Sequence, residues 1–449
     1  MKIGAMRKFD TWLGVPLCFF LTFVRMLVDK FRPVNLGQVQ KILFVKPAEQ
    51  GATVLAYPAI IKAIEKVGRE NVYFIVFEKN RPILDVMNVV PNENIITVPT
   101  QNMLSVLSGF LRAILRIRKE KIDTAIDFEF FARTSAIICY LSGAKRRVGL
   151  HSFAGEAPYR GNLMTHPILY NCHIHTLDIF RILIESIDAP VQKLPGLHIL
   201  RKSEQENSLP QFCPCQEDIT GIKEVLYRKI GQNKIPPIIV LNANASDLLP
   251  LRCWPSQNYI ELARKLLDKY PEVYIIFSGA PKETFAAQQI ADQIGSNRCI
   301  ALAGETTFRQ LMTLYTVANV LVTNDSGPAH FASLTSIHII VLFGPETHIL
   351  FAPKSPRAHV IEAGLVCSPC MSAFNGRCTK CQDNVCMQAI TVDHVFQETC
   401  KIYEYSCITS YKDNINLTQR IFLPYYNKSI DNLKITNVSG ANIESYKND

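Results

Sequence analysis

Two series of short apolar runs divide the chain, and each series alternates with stretches that carry apolar residues at helical spacing. Runs of this kind, separated by amphipathic helices, predict parallel strands joined by crossover helices. The first series lies at 41–46, 72–77, 94–99 and 124–128, and the second lies at 237–244, 273–279, 319–325 and 339–344. The predicted helices between them lie at 58–68, 103–121, 259–270 and 307–318. Two series of this kind predict two doubly wound α/β domains.

The same pattern sets the expected domain boundaries. We expect an N-terminal segment at 1–36, a first domain at 37–200, a linker region at 201–236, a second domain at 237–407 and a tail at 408–449. The linker is expected because that stretch is polar and has little periodicity. The tail is rich in Asn, Lys, Ser, Tyr and Ile without a clear period, and we expect its last part, 432–449, to order weakly.

Length and composition agree with two globular domains. The chain has 449 residues, of which 48% are hydrophobic and 19% are charged, and a chain of this length exceeds one typical core. The net charge of +9 favours an anionic partner or surface. Basic residues form no stripe interleaved with aromatic residues, so we expect no nucleic-acid partner. The fourteen cysteines are scattered as well as clustered, which suits a reducing compartment better than a disulfide framework.

The N-terminal segment contains an uncharged apolar run at 11–24, bounded by Asp10 and Arg25. The run is shorter than the roughly 20 apolar residues that a spanning helix needs, and no small-residue cleavage site follows it. Residues 1–32 carry six Lys or Arg and two Asp. Basic flanks around an apolar, Phe-rich helix predict an interfacial anchor on an anionic membrane face. The alternative is a helix that packs on the protein's own core.

A cluster of chemically active residues lies at 323–332, directly after a predicted strand. In doubly wound folds, ligands bind at the carboxyl ends of the strands. Gly327 lets the backbone approach a ligand closely, and free N–H groups at the start of the following helix favour an anion. His330 can add a charge-assisted hydrogen bond to a phosphate. Helix capping by Asp325 or Ser326 is the structural alternative, and both roles are compatible.

The stretch from 324 to 346 resembles the donor-site signature of glycosyltransferase family 9, the ADP-heptose:lipopolysaccharide heptosyltransferases. Segments 41–64, 127–150 and 238–267 look like other parts of the family pattern, so the resemblance runs from residue 41 to about 400. It implies the GT-B fold, in which two Rossmann-like domains face each other across a cleft. It also implies a nucleotide-sugar donor that binds mostly to the second domain.

The resemblance further implies individual roles at the donor site. The residues expected to bind the donor are Arg252, Glu283, Thr306, Asp325, Ser326, Gly327 and His330. Arg252 stands where the family usually has Lys, and it would supply a cation to the pyrophosphate with a different geometry. Glu283 would meet the ribose hydroxyls. Such enzymes usually need no metal for catalysis, and we expect the same here.

The loop after the apolar run at 41–46, which we call the acceptor loop, departs from the family pattern. An Asp that deprotonates the acceptor hydroxyl usually follows the first glycine of this loop, but here Ala52 follows Gly51. Glu49 is the nearby carboxylate on the same loop, and it is the expected catalytic base. The alternative is that Glu49 is a solvated loop acid.

A cysteine cluster lies at 367–386. Cys367, Cys370, Cys378 and Cys381 form two C-x-x-C pairs, and Cys386 is left over. The spacing can bind a structural zinc ion. Reduced structural thiols and opportunistic disulfides are the alternatives.

These observations predict an inverting, metal-independent glycosyltransferase. By resemblance, it would move heptose from ADP-heptose to a lipopolysaccharide core or another lipid-linked acceptor, as a cytoplasmic protein peripheral on the inner face of the bacterial cytoplasmic membrane. The alternative is a nucleotide-sugar-binding protein that has lost transfer activity, because Ala52 removes the usual base. A dinucleotide dehydrogenase is excluded because the loop after 41–46 has one glycine instead of the three-glycine fingerprint. Arg112, Arg116 and Lys119 share one helical face, which could meet acceptor phosphates but is more simply a solvated face.

Overall fold

The computed structural model describes residues 3–31, 36–151, 158–191, 209–245 and 249–419. The chain divides into two units, residues 1–406 and 407–449. Of the second unit, the structure describes helix through Gln419. The stretch that is predicted to order weakly, 432–449, lies outside the described residues.

Two parallel six-stranded sheets form the core of the first unit, as the sequence predicts. The strands are β1 Ile42–Val45, β2 Val72–Phe77, β3 Ile95–Val98, β4 Thr124–Asp127, β5 Arg146–His151, β6 His166–Leu169, β7 Ile238–Asn242, β8 Tyr274–Phe277, β9 Cys299–Ala301, β10 Val320–Asn324, β11 His338–Phe343 and β12 Ala358–Glu362. The first sheet has the order β3-β2-β1-β4-β5-β6, and the second has the order β9-β8-β7-β10-β11-β12. Both are the doubly wound order, which reverses between β1 and β4 and between β7 and β10. Ligands bind outside the carboxyl ends of strands at these switch points.

Helices cover the faces of both sheets. They are α1 Ile3–Trp12, α2 Gly14–Phe31, α3 Gln50–Leu55, α4 Tyr57–Val67, α5 Pro82–Met87, α6 Met103–Lys119, α7 Arg133–Leu141, α8 Thr176–Glu185, α9 Gln216–Ile230, α10 Ser256–Lys269, α11 Thr284–Ile294, α12 Phe308–Val317, α13 Gly327–Ala332, α14 His348–Phe351, α15 Val385–Gln388 and α16 Val392–Gln419. The predicted helices at 58–68, 103–121, 259–270 and 307–318 correspond to α4, α6, α10 and α12.

The sequence pattern missed β5, β6, β9 and β12. In β5, Arg146 and Arg147 interrupt the apolar run, yet both side chains are buried. They can be buried because backbone carbonyls accept their N–H groups: Arg146 donates to Leu36 and Gly37, and Arg147 donates to Leu163 and Ala144. β9 has three residues, and β12 is an edge strand with three exposed positions. Neither gives a clear apolar signal.

The predicted linker contains regular structure. α9 lies inside 201–236 and buries Ile222, Val225 and Leu226 against the core. The expectation of low periodicity is therefore wrong for 216–230, since three apolar residues on one face suffice to dock an otherwise polar helix. Residues 201–208 lie outside the described residues.

One face of the N-terminal helices packs on the first domain. Cys18 and Leu21 are buried in its core. The guanidinium of Arg25 donates to the carbonyl oxygen of Asn162 at 2.6 Å, and the carboxylate of Asp10 accepts from the backbone N–H of Thr134 at 2.8 Å. These contacts agree with the alternative of internal packing.

The opposite face of these helices is exposed and apolar. Trp12, Phe19, Phe20 and Phe23 are each more than half exposed. Lys8–Phe31 meets the length and hydropathy criteria for a membrane-crossing helix, with 22% of its 18-residue apolar window buried. Those criteria use length and composition alone, so a surface helix with one apolar face meets them equally well. The exposed face thus remains available for the predicted interfacial role.

Candidate functional site

A cavity of about 2050 Å³ lies between the carboxyl edges of the two sheets. Pockets for one small ligand usually measure about 300–1,000 Å³, so this one has room for two substrates. Its lining includes the ten residues that the sequence analysis placed at the donor and the acceptor loop: Glu49, Gly51, Ala52, Arg252, Glu283, Thr306, Asp325, Ser326, Gly327 and His330. The fold therefore gathers the predicted donor and acceptor residues around one space.

The turn that is expected to bind the donor, Asp325–His330, follows β10, as predicted. We call it the donor turn. Asp325 and Ser326 form the turn, and α13 begins at Gly327. A β-carbon on Gly327 would lie 2.8 Å from the ring of Phe331, so only glycine fits there without a shift. α13 has six residues and ends at Ala332. The turn is thus held by close packing against its own helix.

Buried charges surround the donor turn. Arg252 Nη1 lies 3.2 Å from Asp325 Oδ2 and 3.4 Å from Glu346 Oε2. Burial raises the pKa of Asp325 to about 6, although Arg252 opposes the shift; the nearby Glu346 charge adds to it. The Nε atom of Arg252 is buried and has no hydrogen-bond partner among the described residues. A phosphate of a nucleotide-sugar donor bound in the cavity could therefore accept a hydrogen bond from this cationic N–H.

His330 is buried beside this network. Burial, together with the charge of Arg252, lowers the pKa of His330 to about 4. The imidazole is therefore neutral near pH 7 in the ligand-free site, so a neutral N–H would donate the predicted hydrogen bond and the phosphate would supply the charge that assists it. Its Nδ1 atom is buried, and no described residue supplies it with a hydrogen-bond partner. An unsatisfied buried polar atom at a cavity wall indicates a place for a ligand.

The acceptor loop brings two carboxylates to one lysine. The side chain of Lys46 is fully buried, and its Nζ atom lies 3.2 Å from Glu129 and 3.6 Å from Glu49. Glu129 also accepts from the backbone N–H of Ala48 at 2.8 Å. Glu49 has a φ of 62°, a left-handed conformation that is uncommon for a residue other than glycine. The loop after β1 and the loop after β4 are thereby joined.

The two carboxylates differ in basicity. Burial alone would raise the pKa of Glu49, but the guanidinium of Arg377, with help from Lys46, outweighs burial and lowers that pKa to about 2. Burial raises the pKa of Glu129 to about 7 against the opposing charge of Lys46, and the charges of Glu49 and Asp127 add to the shift. Glu129 is therefore the stronger base of the pair.

Arg377 joins the cysteine-rich loop to both domains. Its guanidinium pairs with Glu49 of the first domain. It also donates two 2.6 Å hydrogen bonds to the carboxylate of Glu346 in the second domain. The guanidinium lies 5.1 Å from the centre of the Phe351 ring. One side chain thus spans the cleft at the cavity wall.

The other predicted donor residues lie on the second-domain wall. Glu283 accepts from the backbone N–H of Ala280 at 2.7 Å, and Thr306 is half-buried at the cavity edge. A carboxylate accepts hydrogen bonds from hydroxyl groups, which a ribose offers. Their positions are compatible with the predicted ribose contact.

The cysteines of the predicted zinc site are mostly exposed. Cys367, Cys378 and Cys381 are exposed, and Cys370 is half-buried. Across the described parts of the chain, no three His, Cys, Asp or Glu residues come together to hold a metal ion. A structural zinc ion at these cysteines stays a prediction, which elemental analysis of protein purified without a chelator tests directly.

The sequence analysis missed Glu129, Glu346 and Arg377 as site residues. Glu129 and Glu346 both follow predicted strands, so the rule that ligands bind at carboxyl ends of strands could have found them. No local signal identifies Arg377, because its partner Glu49 lies 328 residues away along the chain.

Comparisons with known proteins agree with the fold and identify the family. The sequence profile of "Glycosyltransferase family 9 (heptosyltransferase)" matches residues 111–377. The protein called lipopolysaccharide heptosyltransferase 2 is 33% identical in Salmonella typhimurium and 25% identical in Escherichia coli K12, over 230 residues in each case. Each match covers 51% of this chain and 61% of the relative, so more than a third of each relative is unmatched.

A solved structure extends the likeness to the whole fold. The structure of E. coli ADP-heptose lipopolysaccharide heptosyltransferase II superposes with a TM-score of 0.62 at 20% identity, and the match covers 82% of this chain and 99% of that one. At this identity the likeness establishes the fold, which is GT-B.

Proposed function

This chain belongs to glycosyltransferase family 9, and we propose that it transfers heptose from a nucleotide-sugar donor, ADP-heptose, to a lipopolysaccharide core or another lipid-linked acceptor. The observation that carries the proposal is the cavity, which joins the Asp325–His330 turn of the second domain to the Glu49 and Glu129 loops of the first. A donor and an acceptor bound to those two walls would meet in one space. Proximity of this kind is a large part of what an enzyme supplies to a two-substrate reaction.

The second domain holds the donor in this account. Arg252 and His330 supply N–H groups to the diphosphate, because each has a buried nitrogen without a partner within the described residues. The positive charge of Arg252 stabilises the diphosphate as it leaves with the electron pair of the broken C–O bond. These groups perform the task that a divalent metal performs in other transferases, so we propose a metal-independent reaction.

The first domain supplies the proton acceptor. The acceptor hydroxyl attacks the anomeric carbon opposite the departing diphosphate, which inverts the configuration, and its proton must go to a base. Ala52 cannot take a proton. Glu49 is predicted from its position in the loop, but its ion pair with Arg377 makes it a weak base. We assign the role to Glu129, whose pKa near 7 suits proton transfer at neutral pH.

A membrane location fits a lipid-linked acceptor. The exposed apolar face of α2, which carries Phe19, Phe20 and Phe23, together with the basic residues of the segment, supports binding to an anionic membrane. We therefore propose a peripheral protein on the inner face of the cytoplasmic membrane.

Calorimetric titration with ADP-heptose tests the donor site. His330→Ala should weaken donor binding by about 1.5–3 kcal/mol, the usual value for a hydrogen bond to a charged group. His338→Ala is the matched control, because His338 is equally buried but lies outside the cavity lining. Equal affinity of wild type and a folded His330→Ala variant would remove the donor-site assignment.

A further inference from the structure

The cavity continues beyond its charged centre into an apolar region. This region lies between the N-terminal helices, α6 and α7. Its lining includes ten large apolar side chains: Leu13, Leu17, Val106, Leu107, Phe110, Leu111, Ile114, Ile137, Ile138 and Leu141. We call this region the apolar groove. It shares one cavity with Glu49 and Glu129, so whatever fills the groove reaches the place where the acceptor would react.

One wall of the apolar groove is the side of α6 that faces the N-terminal helices. Leu107 is 43% exposed and Leu111 is 60% exposed, although both line the groove. Large apolar side chains that remain this exposed in a concave site indicate a surface that binds another apolar group. The basic residues Arg112, Arg116 and Lys119 are exposed and lie outside the cavity lining.

The facing wall leads to the surface. Leu13 and Leu17 line the groove, and Phe20 and Leu27 continue the same stripe of α2 at helical spacing. Phe20 is 59% exposed and Leu27 is 45% exposed. The groove is thus continuous with the exposed apolar face of α2, the surface proposed to lie on a membrane.

We propose that the apolar groove binds a hydrocarbon chain of the lipid-anchored acceptor. This inference rests on the proposed function. We expect an apolar occupant, because these ten side chains offer no hydrogen-bond donor or acceptor. The polar residues Asp10, Arg133 and Thr134, which also line the cavity on these helices, hydrogen-bond to one another. The occupant must also leave the reaction space open to a sugar, which a folded partner or a second copy lying across the cavity would block. A lipid with its chain in the groove and its polar head toward Glu129 satisfies both conditions.

Two matched variants of α6 test the groove. Leu111 and Leu115 are both 60% exposed on the same helix, but only Leu111 lines the cavity. The probe is a dansyl-labelled long-chain fatty acid, whose binding is followed by fluorescence. Leu111→Glu should weaken probe binding about tenfold or more, the effect expected when an apolar contact of one leucine is lost. Leu115→Glu should bind within about twofold of wild type, and neither variant should unfold, since both side chains face solvent.

Each other outcome overturns the proposal. If Leu111→Glu binds the probe like wild type, no chain occupies the groove. If both variants lose binding equally, the chain lies on the outer surface of α6. If wild type is a dimer that only Leu111→Glu dissociates, a second copy fills the groove. Titration of wild type with ADP-heptose separates the proposed function from the proposal about the groove. Probe binding without donor binding refutes the proposed function alone, and donor binding without probe binding refutes the groove alone.

Discussion

Gly51 of the acceptor loop lies against His330 of the donor turn, so closely that a β-carbon at position 51 would be 2.6 Å from Cδ2 of the imidazole. The two residues belong to different domains. α3, which contains Gly51, thus packs on α13 directly across the cleft. This contact brings the loop with the proposed base next to the group proposed to hold the phosphates.

A methyl group at this contact should disturb the donor site. In Gly51→Ala, either His330 or the loop must move, because real β-carbons essentially never approach other atoms so closely. We expect the free energy of unfolding to fall by about 1–3 kcal/mol, the usual cost of overpacking, and donor binding, measured by calorimetry, to weaken. Gly221→Ala is the control, since the nearest atom to its new carbon would be 3.7 Å away. Unchanged affinity in Gly51→Ala would mean that the contact is not kept in the donor complex.

Arg377 should stabilise the closed arrangement of the cleft. Arg377→Met leaves the buried carboxylate of Glu346 with its 3.4 Å pairing to Arg252 and removes two short hydrogen bonds. Removing one partner of a buried ion pair costs about 3–5 kcal/mol, and we expect the lower end because Arg252 remains. Denaturant unfolding measures the loss.

Lys380→Met is the matched control for Arg377→Met. Lys380 lies in the same loop and is exposed, so its loss should change the free energy of unfolding by less than about 0.5 kcal/mol. Arg377→Lys keeps the charge but cannot form the bidentate pair. Its free energy of unfolding should therefore lie between those of Arg377→Met and Lys380→Met. An Arg377→Met protein as stable as wild type would contradict the ionic link.

Glu129 should control the pH dependence of transfer. A base acts when it is deprotonated, so the wild-type rate should rise as the pH increases through about 7, the pKa of Glu129. The charged groups around it are Lys46, Glu49 and Asp127. Glu129→Gln should lower kcat by about 10²–10⁴ and remove this pH dependence, with donor affinity retained.

Glu49→Gln provides the comparison. Because the charge of Glu49 raises the pKa of Glu129, its removal should shift the rise in rate to lower pH and leave a substantial kcat. The opposite result, a large loss of kcat in Glu49→Gln and a near-normal rate in Glu129→Gln, would assign the base to Glu49. Initial rates measured between about pH 5 and 9 for the three proteins distinguish these outcomes.

Membrane binding should depend on the exposed face of α2. Deleting the N-terminal segment is a poor test, since Cys18 and Leu21 are part of the core. Phe19→Ser with Phe23→Ser keeps those contacts, and it should weaken binding to anionic vesicles at least about tenfold in co-sedimentation. Phe285→Ser is the control, because Phe285 is exposed on the second domain. Equal sedimentation of all three proteins would contradict the anchor.

The sequence predicts the parts of this molecule that local pattern determines. The alternation of apolar runs and helices predicted both sheets. Asp325 at the end of the run at 319–325, with Gly327 and His330 just after it, predicted the donor turn. β5 was missed because burial of Arg146 and Arg147 depends on carbonyls that other segments supply. Arg377 was missed for the same kind of reason, since its pairing with Glu49 arises only when the two domains meet. The different basicities of Glu49 and Glu129 depend on those distant contacts, so no local pattern reveals them.

Measurement of heptose transfer tests the proposed activity most directly. Wild-type protein is incubated with ADP-heptose and a heptose-deficient lipopolysaccharide core, and the mass of the acceptor is measured. We predict that the acceptor gains the mass of one heptose without added metal. Glu129→Gln, which still binds the donor, should form this product far more slowly. If wild type binds ADP-heptose but the acceptor mass stays unchanged across lipid-linked acceptors, the chain is a nucleotide-sugar-binding protein and the claim of catalysis is contradicted.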